Sequence, residues 1–211
     1  MLTTYLTIQE NGTHEIEIKK SRFICHLYRI ESEDEAKMLL NKIKKEHWKA
    51  SHNCHAYVLG DENELQRSSD DGEPSGTAGL PMLEILKKRN IINTLAIVTR
   101  YFGGTELGKG GLIRAYGGAV NEALDVVGIV QGKLQQEIHV TLDYTQHSKF
   151  DYFIENSTYS IKENAFTDKV VVTCMVDEPQ IEVFYTDVTE LFSGQALLEK
   201  GNKTYHETPI T

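Results

Sequence analysis

Thr99-Arg100-Tyr101-Phe102-Gly103-Gly104-Thr105-Glu106-Leu107-Gly108-Lys109-Gly110-Gly111-Leu112-Ile113-Arg114-Ala115-Tyr116 carries the chain from a strand, across a glycine-rich turn, into a helix. The run before it, Thr94-Leu95-Ala96-Ile97-Val98-Thr99, is apolar and suits a central strand. After it, Leu112, Ala115, Ala119, Val120, Ala123, Leu124 and Val127 recur at helical spacing as far as Gly128, a natural C-cap. Glycine in such a turn supplies positive φ and lets another backbone or a ligand come close. The turn also leaves N–H groups free at the positive end of the helix dipole, where anions bind. A second loop lies upstream, Asp70-Asp71-Gly72-Glu73-Pro74-Ser75-Gly76-Thr77-Ala78-Gly79-Leu80-Pro81, too rich in glycine and acid to be a regular element. Two such loops, flanked by Arg100, Lys109 and Arg114, are hard to explain by packing alone.

The spacing of Gly103, Gly108 and Lys109 approaches a phosphate-binding loop, but Gly110 stands where Ser or Thr would ligate Mg²⁺. Without that hydroxyl a Walker-type nucleotidase is disfavoured, and a looser phosphate cradle is the reading that survives. Its N–H groups lie near residues 109–111, and its charge comes from Lys109 and Arg114. Aromatic rings beside cations add the usual recipe for single-stranded RNA. The candidate nucleic-acid or phosphate-binding set is therefore Arg100, Tyr101, Gly104, Gly108, Lys109, Gly110, Gly111, Arg114 and Tyr116. The plainer alternative is a tight helix–sheet turn, with Phe102 and Tyr116 in the core.

Facing this set, the expected loop residues are His52, Asp70, Asp71, Glu73, Ser75 and Thr77. Asp70, Asp71 and Glu73 have the chemistry to hold Mg²⁺, and equally the chemistry to cap turns and helix starts. In His52-Asn53-Cys54-His55 a strand puts His52 and Cys54 on one face and His55 on the other. No second ligand pair has zinc-like spacing, so no metal site is expected. No serine or cysteine sits in a recognisable nucleophile context, and catalytic residues remain unassigned.

Outward from this centre, residues 1–30 alternate as strands, with Asn11-Gly12 a plausible hairpin turn between the first two. Lys19, Lys20 and Arg22 form a small basic cluster, read as a solvated face. Ser32-Glu33-Asp34-Glu35 is a capping-box signature for a helix placing Ala36, Leu39, Leu40 and Ile43 on one face. Leu83, Ile85 and Leu86 belong to another helix, ending in Lys87-Lys88-Arg89. Residues 129–135 read as a joint. Beyond it comes a β-α-β-β-α-β rhythm: a strand over 137–142, a helix over 145–156, and strands over 159–166 and 170–176. A helix beginning at Pro179 and a strand over 196–204 complete it. That is the pattern of a ferredoxin-like α/β sandwich, so two domains are expected, 1–130 and 135–211.

Hydrophobic residues make up 40% of the 211, enough for a real core. The formal charge is -9, but residues 133–211 hold 6 basic and 13 acidic side chains, leaving only -2 on the first 132. Any polyanion contact is therefore expected on a local basic patch of the first domain. No run approaches a membrane span, the N-terminus lacks a secretory pattern, and three widely spaced cysteines read as reduced thiols of a cytoplasmic protein.

The segments Ala50-Ser51-His52-Asn53-Cys54, Asp70 through Gly79, Thr99-Arg100-Tyr101-Phe102-Gly103-Gly104 and Gly108 through Tyr116 together resemble the IMPACT/YigZ family, in its bacterial two-domain form. The resemblance implies an α+β chain: a ribosomal-protein-S5 domain-2-like domain followed by the ferredoxin-like one. That pair is similar to the fourth and fifth domains of elongation factor G, which act on the ribosome. Eukaryotic relatives implied by the resemblance regulate translation and carry an additional N-terminal domain for a kinase-activating partner. This sequence opens directly on the core-domain pattern, so that contact is not expected. The S5-like superfamily also holds small-molecule kinases, and the resemblance brings no catalytic residues with it.

The leading expectation is a non-enzymatic translation factor that binds RNA or the ribosome through the Arg100–Tyr116 surface, without a cofactor and without a membrane. The alternative is an enzyme holding a nucleotide or phosphorylated metabolite with Mg²⁺. A protein-interaction module with purely structural loops is the third reading.

Overall fold

A computed structural model describes residues 2–61 and 64–210 of the chain. They divide into two compact units, Met1–Gln131 with Thr208–Thr211, and Gly132–Glu207. The first unit contains β1 (Thr4–Ile8), β2 (Gly12–Ile18), β3 (Ser21–Arg29), α1 (Glu33–Glu46), β4 (His52–Leu59), β5 (Leu65–Ser69), α2 (Gly79–Lys88), β6 (Thr94–Tyr101) and α3 (Gly108–Val127). Its antiparallel sheet has the order β2-β3-β6-β4-β5, so the apolar run 94–99 is indeed the central strand.

Period-two alternation decides which layer each strand residue enters. Phe23, Cys25, Leu27, Cys54, Ala56, Ala96 and Val98 share one face, and α2 and α3 pack onto it through Met82, Leu86, Leu112, Tyr116 and Val120. Tyr57, Leu59, Leu95 and Ile97 point to the other face, covered by Ala36 and Ile43 of α1. Ser32 caps α1, its hydroxyl accepting from the Glu35 N–H at 3.2 Å, with Glu33, Asp34 and Glu35 in the first turn and Lys44 and Lys45 in the last, each of the sign the dipole favours.

The Asn11-Gly12 hairpin is not made. β2 pairs instead with β3 across Lys19-Lys20, both at positive φ (48° and 66°), the geometry of a tight two-residue turn. Asn11 Oδ1 meanwhile accepts the Arg29 N–H at 2.7 Å. β1 lies outside this sheet: it bridges Leu6 to Ile91 and pairs with the strand that follows α3.

The expected joint at 129–135 is strand. β7 runs unbroken over Ile129–Leu142, followed by α4 (Tyr144–Glu155), β8 (Ser160–Phe166), β9 (Val170–Val176), a 3-10 turn (Glu178–Gln180), α5 (Ile181–Leu191) and β10 (Leu197–Ile210). Numbering the second unit's strands from β7, the sheet order β10-β7-β9-β8 is 4-1-3-2, the ferredoxin-like arrangement. Val140, Phe150, Val172, Phe184 and Val188 form its core. The chain is thus α+β in both units. No described helix is long and apolar enough to cross a membrane.

Candidate functional site

The acidic loop that follows β5 is built by its own carboxylates. Asp70 Oδ1 accepts the N–H groups of Ala78 and Gly79 at 3.1 and 2.9 Å, and Oδ2 accepts Gly76 N–H at 2.8 Å. Burial alone would raise this carboxyl, but the three N–H donors outweigh it and hold Asp70 below the usual range. It thereby serves the start of α2, whose N-cap residue Ala78 has no side chain to do so. Asp71 Oδ2 accepts Asn53 N–H and Oδ1 accepts Lys44 Nζ, both at 2.7 Å. Thr77 is buried and donates to Pro74 O, while Ser75 is exposed. Among the described residues, no three His, Cys, Asp or Glu side chains converge as a metal group. Asp70 and Asp71 organise backbone, so their expected role facing a ligand is corrected to a structural one.

Behind the loop lies a buried polar knot. Arg100 leaves β6 on the α3 face, in phase with Ala96 and Val98. Its Nη1 donates to Glu73 Oε1 at 2.7 Å, and Tyr116 OH of α3 donates to the same oxygen at 2.7 Å. Asp71 O can only accept, so His52 Nδ1 carries a proton and donates to it at 2.9 Å. That leaves His52 Nε2 facing Glu73 Oε2 at 3.7 Å. Cys54 donates to Asp70 O at 3.0 Å, and burial pushes its thiol up to about 12, so it is no nucleophile at neutral pH.

Two expected contacts are corrected by this knot. Tyr116 is fully buried, its ring edge-on to Phe23 at 5.3 Å, and no base can stack on it. Arg100 is only 6% exposed and its charge is neutralised by Glu73. Its buried Nε–H has no hydrogen-bond partner among the described residues.

The two glycine loops do meet. Glu73 and Pro74 of the first, with Phe102 and residues 106–109 of the second, line a cleft of about 500 Å³, completed by Ser51, His52, Arg100 and Leu112. α3 opens into it. No side chain caps the first turn of α3 and no acid sits in it, although exposed Glu106 lines the cleft just before the N-cap residue Leu107. Gly108 turns the chain into the helix at φ 70°, with no neighbour within 4 Å of where a Cβ would lie. Gly103 is demanded differently: a Cβ there would stand 2.1 Å from the Lys20 carbonyl carbon. Lys109 is exposed on the rim; Gly104 and Gly110 are exposed but do not line the cleft, and Gly111 packs against Leu107. Arg114 lies beside a second, apolar groove with Leu80, Ile85 and Gly117, away from the cleft lining. Tyr101 points to the α1 face, its OH 2.8 Å from His47 Nδ1 and Arg22 over its ring at 5.4 Å.

Six lining residues escaped the candidate set: Ser51, Pro74, Glu106, the cleft walls Leu107 and Leu112, and Phe102, which is 52% exposed with Arg100 at 5.6 Å from its ring. For Phe102 the signal was alternation, since it falls just past the strand end, where nothing obliges it to be buried.

Residues 19–124 match the Impact N-terminal domain, and residues 140–195 match a domain of unknown function, DUF1949. The chain is similar to the IMPACT family member YvyE of Bacillus subtilis, 48% identical over 100% of this chain and 97% of that protein. An IMPACT family member of Haemophilus influenzae is 36% identical over 94% of this chain and 97% of its own length. Among solved structures, the crystal structure of a hypothetical protein superposes with a TM-score of 0.60 at 32% identity, covering 94% of this chain and 97% of that one.

Proposed function

This chain belongs to the IMPACT family, and on that premise we propose that it is a regulatory factor of translation that holds RNA, or the RNA of the ribosome, at the cleft between its two glycine loops. The observation that carries the reading is the uncapped start of α3, opening beside exposed Lys109 and Phe102 with the Arg100 Nε–H unpaired behind it. Backbone N–H groups and a lysine suit phosphate, and the phenyl ring suits an unstacked base. Nothing in this arrangement resembles a nucleophile with its base, and the nearest thiol is held protonated. The acidity of the second unit keeps a polyanion on the first.

The test is co-sedimentation with ribosomes across a salt series, for the native chain and a Phe102→Ala/Lys109→Ala variant. Both side chains are exposed, so the variant is expected to fold normally. Binding that falls steeply with salt and weakens in the variant is the expected result. Failure to sediment with ribosomes even at low salt overturns the proposal.

One observation favours a second reading. The cleft volume and its Leu107, Leu112 and Phe102 walls fall within the range of small-ligand sites. A phosphorylated metabolite there would raise thermal stability in proportion to ln(1 + [L]/Kd).

A further inference from the structure

The chain's single tryptophan, Trp48, is 73% exposed in the turn between α1 and β4, the turn whose Ser51 lines the cleft. A large apolar ring in that position has no packing role. The turn is nevertheless held firmly. On one side His47 Nδ1 is 2.8 Å from Tyr101 OH; on the other, Ser51 N–H donates to Arg100 O at 2.9 Å, and Ser51 Oγ accepts Phe102 N–H at 3.3 Å. Both flanks of Trp48 are thus tied to the last two residues of β6 and the residue after it. Those ties bring the segment that carries the exposed indole and the segment that carries the exposed Phe102 ring together at the strand end.

Several cations stand at this end, alongside the exposed acids Glu46 and Glu106. Lys49 Nζ lies 5.0 Å from the Trp48 ring centroid. Exposed Lys19 and Lys20 crown the β2–β3 turn, whose Lys20 backbone is in contact with Gly103. Arg22 is already engaged, since Glu15 holds it through two hydrogen bonds at 2.6 and 2.8 Å, and it covers Tyr101. Exposed rings interleaved with lysines form the pattern that binds single strands without reading sequence: phosphates track the ammonium groups and bases stack on the rings.

We propose that Trp48 and Phe102 form a stacking platform that carries single-stranded RNA from the cleft over the end of β6 onto the α1 face. The inference rests on the RNA reading above and adds the strandedness and path of the ligand. A duplex offers no free base faces, so paired RNA bypasses Trp48.

Because Trp48 is the only tryptophan, intrinsic fluorescence reports this position alone. The experiment titrates the full chain with a short oligouridylate and with its duplex, following both Trp48 emission and the anisotropy of labelled RNA. Single-stranded RNA is expected to quench Trp48, and duplex to leave it unchanged. Trp48→Ala should weaken oligouridylate binding roughly tenfold, with Trp48→Phe restoring most of it. RNA binding seen by anisotropy without quenching, and unaffected in Trp48→Ala, overturns the platform while leaving the cleft as an RNA site. Absence of any RNA binding overturns both.

Discussion

Arg100 Nη1 lies 2.7 Å from Glu73 Oε1, and both side chains are more than nine-tenths buried. The pair ties the acidic loop to the central strand, and Tyr116 ties the same oxygen to α3. Removing Glu73 strands a buried guanidinium and a buried hydroxyl together. Glu73→Ala should therefore lower stability by about 3–5 kcal/mol. A Glu73→Leu/Arg100→Met double variant, apolar on both sides, should recover most of the loss. Urea unfolding of the three proteins measures this, and single variants within about 1 kcal/mol of the native chain would contradict it. For the same reason Arg100→Ala is a poor probe of ligand binding, since it perturbs the fold first.

Gly103 and its neighbour Gly104 make a paired prediction. A methyl at 103 meets the Lys20 backbone carbonyl carbon at 2.1 Å and Ser21 N at 2.3 Å, and backbone cannot yield as a side chain does. At 104 there is open space, but φ is 86°. Gly103→Ala should cost about 3 kcal/mol or more, by forcing the β6–α3 loop off the β2–β3 turn. Gly104→Ala should cost only about 1 kcal/mol of left-handed strain. The ranking is checked by thermal unfolding, and the reverse order would refute the close-approach argument.

Much of this fold was legible because its signals are local. The ferredoxin-like unit follows from hydrophobic rhythm and turn residues, and the cap at Ser32 from four consecutive residues. The site was harder, and two of the corrected residues, Tyr116 and Arg100, show why. Tyr116 lies four residues after Leu112 and three before Ala119, on the very stripe that α3 buries, so helical spacing already placed it inside. Arg100 alternates in phase with Ala96 and Val98, so its direction was also readable. What no local pattern gave was Glu73, 27 residues upstream, which makes burial of that charge tolerable. Without it, a buried arginine looks like an error and an exposed one like a ligand site. The Asn11-Gly12 turn failed for a related reason: turn chemistry names a bend but not the strand that pairs across it.

Asp70 supplies the third prediction. Its carboxylate takes the place of an N-cap for α2, so Asp70→Ala leaves three loop N–H groups without their acceptor. A loss of about 2 kcal/mol is expected, with faster amide exchange confined to residues 76–79. Asp70 is held below its ordinary range, so its contribution is present above the unfolded-state pKa and vanishes as pH falls through the folded one. The native chain should lose this increment in acid, and the alanine variant should have none to lose. Uniform exchange changes across the unit would argue for a global effect instead of a cap.

His26 makes the last prediction, on the opposite face of the sheet. It is 6% exposed, between Thr13 Oγ1 at 3.2 Å and Thr99 Oγ1 at 3.4 Å, with the His47 ring 5.2 Å away. Burial, then the neighbouring His47, lowers its pKa to about 4. The folded state therefore keeps His26 neutral while the unfolded chain takes up a proton near its ordinary value of 6.5. Between those values the unfolded state binds more protons, so stability rises with pH: full above the unfolded value, falling as pH drops, and exhausted below the folded one. The whole excursion amounts to about 3 kcal/mol. His55 and His206 are shifted the same way, so the native chain shows a composite slope and the decisive quantity is a difference. His26→Gln keeps a polar side chain between the two threonines but cannot titrate. Its urea midpoint should change markedly less than that of the native chain between about pH 7 and about pH 5. Equal slopes for the two proteins would mean that His26 is solvated and protonates freely, which its enclosure by Thr13, Thr99 and His47 excludes.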